Sequence, residues 1–450
     1  MPRRKLGLFS AISVGVGLIV ATSCLVSLCT GVGLSGNAFV LALFIALLIN
    51  SCLVFSFNEL YTLMPNVYGG VGQYTLAGLG ALASIVSNVS AYFLTVIFTS
   101  CVEMYMCGLV IHSLFPSVPT YLSSVVLLVV LFALNLRGID VFSRVQNILA
   151  VLLIGSMLVL GVIGAFKLGT GIAVPRTVPE VTGFFEVAKL TAIAFWLFVG
   201  VEFIIPVARD MKNPKKHVFL AMLLSLVVLF AVQAVMIRAL VNYVPLGGLL
   251  SADAPHMLFA ENLLGRAGML WMGGIAVLAG LSTLNTILPS VGRILQGMAD
   301  ERLVPKSLCR TNKKNMPYVG MSLIVVIDIF MIVSGYVENS GIINLILAGS
   351  CFWLVAYILT HITVLVLRKR HKDIKRNRVF FGIPQIIGIA GSLFMIWNIS
   401  GDDKSRIAIF SLFGVMCAVM LVYGVVWLKF VVKKPLFKPE GIESINGGRV

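Results

Sequence analysis

The stretch Ser13-Val14-Gly15-Val16-Gly17-Leu18-Ile19-Val20-Ala21-Thr22-Ser23 interrupts a long apolar run near the start of the chain. About 180 residues later, Phe198-Val199-Gly200-Val201-Glu202 interrupts another apolar run. Small residues, hydroxyl groups and a carboxyl group are costly in hydrocarbon unless the backbone there lines a cavity. A matched pair of interrupted helices, one in each half, predicts a substrate site between them.

The composition places the chain in a membrane. Of its 450 residues, 59% are hydrophobic and 12% are charged, and the mean hydropathy is +1.02. These values indicate a polytopic membrane protein and exclude a soluble domain. The net charge of +16 would suggest nucleic acid in a soluble chain, but here the positive charges fall at the ends of apolar runs. We therefore expect membrane lipids and no nucleic acid among the partners.

Twelve apolar runs are long enough to cross a bilayer, since about 20 residues suffice. They are predicted at residues 8–34, 37–64, 79–112, 119–136, 143–168, 186–208, 217–243, 266–299, 317–337, 341–367, 381–399 and 405–431. The basic start of the chain lacks a small-residue cleavage site, so the first run is read as a retained helix. The eight cysteines have no metal-type spacing and are expected to be small buried residues; no cofactor or metal is expected.

Lysine and arginine are distributed unevenly between the two sides of the predicted spans. With the N-terminus inside, the inside segments hold Arg3, Arg4, Lys5, Arg137, Arg144, Arg209, Lys212, Lys215, Lys216, Arg302, Lys306, Arg310, Lys313, Lys314, the block 368–378 and the tail residues Lys429, Lys433, Lys434, Lys438 and Arg449. The outside segments hold few, chiefly Lys167, Arg176, Lys404 and Arg406. The positive-inside rule then predicts that both termini are cytoplasmic. The block 368–378 sets topology on this interpretation, and binding of anionic lipid headgroups is the alternative.

The lengths of the spans predict an internal repeat. The third and eighth spans are unusually long, and the interruptions lie in the first and sixth. Both correspondences are offset by five helices, and an odd offset makes the repeat inverted. We expect one membrane transporter domain: a first unit at residues 8–168, a second at 186–367, two further helices at 381–431 and a cytoplasmic tail at 432–450.

The first interruption offers hydrogen-bonding groups from the backbone. Unwinding a helix frees N–H groups that suit a carboxylate and C=O groups that suit an ammonium or a cation. Gly15 and Gly17 lower the cost of unwinding, and the candidate binding segment is Ala21, Thr22 and Ser23. Close helix packing is the alternative interpretation of the same small residues.

The second interruption carries a carboxyl group at mid-span. Glu202 lies beside Gly200 and is flanked by Trp196 and Phe198. An ionisable residue at that depth is a candidate functional residue, although a helix-pinning hydrogen bond of the protonated form is the alternative. The aromatic side chains either close over a substrate or belong to the core.

Three other polar positions lie deep in predicted spans. Glu103 shares a polar helix face with threonine and serine residues, and either contacts a substrate, carries a proton or pairs with Arg238 or another helix. Ser282 and Thr283 are weaker candidates for an ion site with the first span. Asp328 is interpreted as structural, and Glu59 as a contact at a helix end or gate.

Four stretches together resemble the amino acid/polyamine/organocation transporter superfamily. These are Met64-Pro65-Asn66-Val67-Tyr68-Gly69-Gly70 with Tyr74, Asn135-Leu136-Arg137-Gly138-Ile139 with Arg144-Val145-Gln146-Asn147, Phe198–Glu202 running to Lys212-Asn213-Pro214-Lys215-Lys216, and Ser282–Thr286 with Arg293-Ile294-Leu295, Met298-Ala299 and Leu303-Val304-Pro305-Lys306. The resemblance implies an all-α fold of two inverted five-helix repeats, the LeuT-like fold, plus two C-terminal helices. It also implies alternating access, an amino acid substrate between helices one, three, six, eight and ten, and a gating role for Glu202.

The chain departs from the superfamily pattern at two places. Where the first helix usually reads Ile-Gly-Ser-Gly-Ile-Phe, this chain has Val20-Ala21-Thr22-Ser23-Cys24-Leu25, which puts the binding of an α-carboxylate in doubt. Many members carry a lysine in helix five where this chain has Leu153, so a lysine proton switch is not supported. Coupling to protons through Glu202 or Glu103, coupling to Na⁺, and simple exchange stay open.

The sequence therefore predicts a permease for an amino acid or related small amine in the cell membrane. A transporter-like sensor or partner subunit is the alternative, although the short polar tail offers no docking domain. A membrane-embedded enzyme is disfavoured because the five histidines lie mostly at span ends and form no catalytic cluster.

Overall fold

A computed structural model describes residues 6–174, 179, 181, 183–339, 341–372 and 379–445. In these ranges the chain is helical, and its strand-type pairing is the isolated bridge between Leu6 and Met211. Of the basic residues used for the orientation, Arg3, Arg4, Lys5, Arg176, Lys375, Arg376, Arg378 and Arg449 lie outside the described residues.

Residues 8–165 form seven helices. They are α1 Leu8–Ile19, α2 Thr22–Ser35, α3 Phe39–Leu63, α4 Val71–Leu79, α5 Ala81–Leu114, α6 Thr120–Leu136 and α7 Ile139–Ala165. Within α5, residues Ile85–Leu94 are wound as a π-helix. The first predicted span therefore consists of two helices, α1 and α2, and the third is a single long one.

The described residues from Phe184 onward contain the second broken span. Its helices are α8 Phe184–Lys189, α9 Thr191–Trp196, the 3₁₀ helix α10 Val201–Asp210, α11 Pro214–Tyr243, α12 Leu246–Ser251, α13 Pro255–Asp300, α14 Tyr318–Val333, α15 Gly341–Arg370, α16 Ile383–Trp397, α17 Asp403–Val432 and α18 Ile442–Ile445. Short 3₁₀ turns occur at Gly36–Ala38, Lys306–Cys309, Tyr336–Glu338 and Val379–Gly382. Pro214 and Pro255 each lie in the first turn of their helix, where a missing N–H costs nothing.

Each of the twelve predicted spans corresponds to a helical segment. In the described part of the chain, eight helical stretches are long and apolar enough to cross a membrane, and four shorter apolar helices accompany them. The eighth span extends further than predicted, because α13 begins at Pro255 and bends at Leu264 and Gly265 before continuing. That bend coincides with the predicted start of the span at residue 266.

The two broken spans lie in the interior of the helix assembly. Helix α1 packs against α7, α10, α11 and α13, and its residues from Val14 to Ile19 are all buried. The last span is peripheral: only 17% of the apolar window in α17 is buried. The interior position of α1 and α10 therefore encloses the polar groups of both breaks, while α17 leaves its apolar side chains to the lipid.

The predicted role of two glycines is wrong. Gly15 and Gly17 lie inside α1, and the backbone leaves the helix only at Val20 and Ala21. A Cβ at position 17 would lie 1.8 Å from the side-chain nitrogen of Gln146, and one at position 15 would lie 2.4 Å from the Ser225 hydroxyl. These glycines therefore permit close packing, the alternative interpretation of this segment, and do not form the break.

Candidate functional site

The two helix breaks contact each other. Gly200, between α9 and α10, has a φ of +121°, which favours glycine. A Cβ on Gly200 would lie 2.3 Å from Cδ2 of Leu18, near the end of α1. On the far side of the first break, the Cys24 thiol lies 3.9 Å from the carbonyl oxygen of Trp196, the last residue of α9. The predicted site between the two interruptions is thus one continuous region.

A carboxylate occupies the N-terminus of α2. Thr22 N–H donates to Oε2 of Glu103 at 2.9 Å, and Ser23 N–H donates to Oε1 at 3.3 Å. The Ser23 hydroxyl donates to the same Oε1 at 2.7 Å. The N–H groups freed by the break, which the sequence assigned to a ligand carboxylate, are therefore satisfied by a side chain of α5. This is the contact expected of an anion at a helix N-terminus.

The remaining groups of this segment differ in their exposure. The Thr22 hydroxyl donates to the carbonyl oxygen of Ala276 in α13 at 3.0 Å and is buried. Ala21 is also buried, with an extended backbone. Ser23 is exposed, although Glu103 beside it is only 5% exposed. The break thus presents a solvent-accessible edge at Ser23 in the middle of the first span.

The second carboxyl group ties three helical segments together. Glu202 is fully buried, and its Oε1 accepts hydrogen bonds from Nε1 of Trp353 at 2.8 Å, the hydroxyl of Tyr357 at 2.8 Å and the hydroxyl of Tyr92 at 3.4 Å. Its Oε2 has no hydrogen-bond partner among the described residues. The α10 carboxyl therefore links α5 and α15 beneath the break, and its loss would leave several donors without an acceptor.

Aromatic rings surround this cluster. The ring of Tyr92 lies 5.7 Å from that of Trp353 and 5.8 Å from that of Phe203, both edge-to-face. Trp196 is partly buried and packs edge-to-face on Phe195 at 5.9 Å, whereas Phe198 is fully buried. Phe198 is thus a core residue, and Trp196 is the aromatic residue of the second break that is accessible to a ligand.

The predicted ion-site residues meet the end of α1. The Thr283 hydroxyl lies 3.1 Å from the carbonyl oxygen of Leu18, 3.4 Å from that of Gly17 and 3.5 Å from that of Val20. Ser282 instead accepts a hydrogen bond from the side-chain nitrogen of Gln146 at 2.8 Å, and the same nitrogen donates to the carbonyl oxygen of Ser13 at 3.0 Å. The Gln146 amide therefore satisfies the oxygens of Ser13 and Ser282, and the Thr283 hydroxyl satisfies the carbonyl oxygen of Leu18.

Four residues of the site were missed as site residues by the sequence analysis. Gln146 was quoted only within a family motif; its amide is oriented by Asn285, which donates to the Gln146 side-chain oxygen at 2.8 Å. Trp353 and Tyr357 are four residues apart on α15 and so share one helix face, a spacing that could have identified them. Tyr92 lies in the π-helical part of α5, where sequence periodicity is least informative.

The other deep charged groups take structural positions. Asp328 is buried and accepts a hydrogen bond from the Ser100 hydroxyl at 2.8 Å, as interpreted. Glu59 forms a paired contact with Arg368, with N–O distances of 2.6 to 3.1 Å, which agrees with a contact at a helix end. The pairing of Glu103 with Arg238 is not found, because Arg238 is exposed and Glu103 contacts the first span.

The membrane face that carries the N-terminus, here called the N-terminal face, is closed by several contacts. Leu6 N–H donates to the carbonyl oxygen of Asp210 at 2.7 Å, and Lys212 N–H donates to that of Leu6 at 2.9 Å. The Asp210 carboxylate pairs with Arg293 at 2.5 Å, and Arg209 lies 3.8 Å above the ring of Tyr68. Leu6 thus holds the C-terminal end of α10, and the Asp210–Arg293 pair joins α10 to α13.

Solved structures with the same architecture are secondary transporters. A Na⁺-coupled sialic acid symporter aligns with a TM-score of 0.56 and 12% identity over 87% of this chain and 89% of that one. A manganese transporter of Eremococcus coleocola aligns with a TM-score of 0.58 and 14% identity over 94% and 95% of the two chains. The fold is therefore that of a LeuT-like transporter with two inverted repeats and two C-terminal helices.

The chain belongs to the amino acid permease family, whose model matches residues 6–426. The branched-chain amino acid permease BcaP of Bacillus subtilis is 26% identical over 92% of both chains. The L-asparagine permease of Escherichia coli is 23% identical over 85% of this chain and 78% of that protein. The aromatic amino acid transport protein AroP of the same species is 20% identical over 75% and 74% of the two chains. This protein is thus a multi-pass membrane transporter of small molecules and not an enzyme.

Proposed function

We propose that the protein is a secondary active transporter that moves an amino acid or a related small amine across the cell membrane by alternating access. The observation that carries this proposal is the contact between the two breaks, where Gly200 approaches Leu18 and the exposed Ser23 opens the region to solvent. Broken helices that meet at mid-membrane are the usual substrate site of such transporters. The binding residues proposed are Ala21, Thr22, Ser23, Glu103, Trp196, Gly200 and Glu202, and the buried Phe198 supports them from the core.

In this proposal, Glu202 and its hydrogen-bond donors form the inner gate. The Glu202 carboxyl contacts α5 and α15 at once. These segments therefore separate only when these hydrogen bonds break, and proton uptake by the Glu202 carboxyl is one way to break them. The Arg293–Asp210 pair closes the N-terminal face below it. The described conformation is then closed on that face and accessible from the other, where Ser23 is exposed. The distribution of lysine and arginine supports placing the N-terminal face and both termini in the cytoplasm.

For ion coupling, we propose protons or substrate exchange in preference to Na⁺. The Ser282 hydroxyl, which an ion site with Thr283 would use, accepts a hydrogen bond from the Gln146 amide nitrogen, and this nitrogen also donates to the carbonyl oxygen of Ser13. That nitrogen is a donor and cannot ligate a cation. Residues Ser282 and Thr283 stay the candidates for ion binding if Na⁺ displaces this amide.

The test is thermal stabilisation of the purified, detergent-solubilised protein against a panel of amino acids and amines, followed by uptake into proteoliposomes. Ligand binding to the folded state raises the apparent melting temperature by mass action. We expect a saturable shift for one chemical class and uptake of the same compound. Uptake that survives Glu202→Ala unchanged would remove Glu202 from the site. Binding without movement into liposomes would favour the non-transporting sensor.

A further inference from the structure

We propose that the substrate is an organic cation without a carboxylate, a primary amine whose ammonium group pairs with Glu103. This inference rests on the proposed function, since it names the chemical class carried by the same site. The carboxylate that a bound amino acid would place at the first break is supplied by the protein itself. The argument rests on the hydrogen bonds of Glu103, the repulsion between like charges and the charge balance of the interior.

The donors at the first break are already in use. Both N–H groups, of Thr22 and Ser23, and the Ser23 hydroxyl donate to Glu103, and the Thr22 hydroxyl donates to Ala276. An incoming carboxylate would find no free donor on these two residues. The two oxygens of Glu103 together accept three hydrogen bonds, while a carboxylate has about four acceptor sites. One site therefore remains for an ammonium group.

Like-charge repulsion excludes the alternative of two carboxylates at this break. Two negative charges about 4 Å apart in a partly screened protein environment weaken binding by about three orders of magnitude. An ammonium group at the same distance gains a comparable attraction before its desolvation is subtracted. The pair Glu103–Ser23 therefore selects an amine over the amino acid with the same side chain.

The charge balance of the interior favours the same ligand. Glu103 and Glu202 are buried, and in the described ranges neither of them forms an ion pair with a lysine, arginine or histidine. Glu202 also keeps an oxygen without a partner there. Buried carboxylates are stabilised when a cation pairs with them. A cationic substrate supplies that charge, and the exposed Ser23 gives it access to Glu103.

Matched ligand pairs that differ only in the carboxylate test this proposal. Leucine is compared with 3-methylbutylamine, and phenylalanine with 2-phenylethylamine, by thermal shift, equilibrium binding and proteoliposome uptake at pH 7.5. We expect the amine to bind at least tenfold more tightly than its parent amino acid and to be the compound transported. An amino acid that binds more tightly and is transported overturns the inference while the proposed function stands. Absence of binding and uptake for both classes overturns both.

Variants at Glu103 identify the group responsible. Glu103→Gln keeps an acceptor but removes the charge, so amine affinity should fall at least tenfold. Glu103→Ala frees the N–H groups of the break, so amino acid binding should rise relative to amine binding. Asp328→Asn is the matched control, since it removes another buried carboxyl that contacts α5 but not the break, and should keep the wild-type preference. If Glu103→Ala does not fold, the inference is tested by the comparison of amines with amino acids in the wild type and by the amine affinity of Glu103→Gln.

Discussion

Gly200 and Leu18 are in contact at the point where the two broken spans meet. Because Gly200 has a positive φ and a Cβ would lie 2.3 Å from Leu18, Gly200→Ala should destabilise the protein by about 2 kcal/mol or more. Gly155→Ala is the matched control, since it lies within α7 and its Cβ would meet nothing within 4 Å. Thermal unfolding in detergent should show a lower melting temperature for the first variant only. Equal melting temperatures would contradict the close contact.

Replacement of the Glu202 carboxyl by an amide should disable gating more than folding. In Glu202→Gln the amide oxygen still accepts hydrogen bonds from Trp353 and Tyr357, and the amide nitrogen takes the place of Oε2, which has no hydrogen-bond partner among the described residues. We expect the transport rate to fall at least tenfold, with a loss of stability of about 1–3 kcal/mol. Uptake and unfolding are measured on the same preparation. Glu338→Gln is the control, since Glu338 accepts its hydrogen bond from Tyr105 and not from this cluster.

Transport should be independent of Na⁺. The Gln146 amide donates to the Ser282 hydroxyl, and the Thr283 hydroxyl donates to the carbonyl oxygen of Leu18 near the end of α1. Replacing Na⁺ by K⁺ at constant ionic strength should leave the initial uptake rate within about twofold. A large, saturable Na⁺ requirement that disappears in Thr283→Val would instead establish an ion site at Ser282 and Thr283.

The pair between Arg293 and Asp210 should hold the N-terminal face closed. Its side chains are 9% and 17% exposed, and the N–O distance is 2.5 Å. Breaking such a pair from one side leaves an uncompensated charge and costs about 3 kcal/mol, so Asp210→Asn should favour opening. A cysteine introduced at the buried Ser290 should then react faster with a soluble maleimide. Lys189→Gln, which breaks an exposed pair with Glu186, should not change the labelling rate.

The C-terminal segment, residues 433–445, should dock more firmly against Glu301 and Leu82 at low pH. Lys434 donates to the carbonyl oxygen of Glu301 at 2.8 Å and pairs with Glu440, and Leu82 N–H donates to the carbonyl oxygen of Leu436 at 2.9 Å. Burial raises the pKa of Glu301, against a hydrogen bond from Gln73. The docked state therefore binds the Glu301 proton more tightly. Protonation of Glu301 stabilises the docked state. This stabilisation is complete below the ordinary pKa of a glutamate and is lost as the pH rises through the raised pKa of Glu301.

Hydrogen exchange of residues 433–445 measures this docking. After correction for intrinsic rates, protection should be greater at pH 4.5 than at pH 7.5 in the wild type. Glu301→Gln should remove the difference in protection between the two pH values, because a glutamine side chain does not titrate. A pH dependence that persists in the variant would assign the effect to another group.

The sequence by itself determined the membrane class, the twelve spans, the two interruptions and the family. These features depend on local composition and on helix length against bilayer thickness, which every segment carries independently. The position of the second break was confirmed, since α9 ends at Trp196 and α10 begins at Val201. The position of the first break was located only broadly, because a glycine is compatible with both an unwound backbone and close helix packing. The side chains that pack against Gly15 and Gly17 decide between these two roles.

The tertiary structure alone decided what the polar residues contact. Glu103 lies far along the chain from Thr22, and Glu202 far from Trp353, so no local pattern could join them. The sequence indicated that these carboxyl groups need partners in the membrane, but the partner is selected by which helices pack together and at what height. That packing placed Glu103 on the N–H groups of the first break and Gln146 against Ser13 and Ser282, because buried polar groups must be satisfied wherever the helices meet.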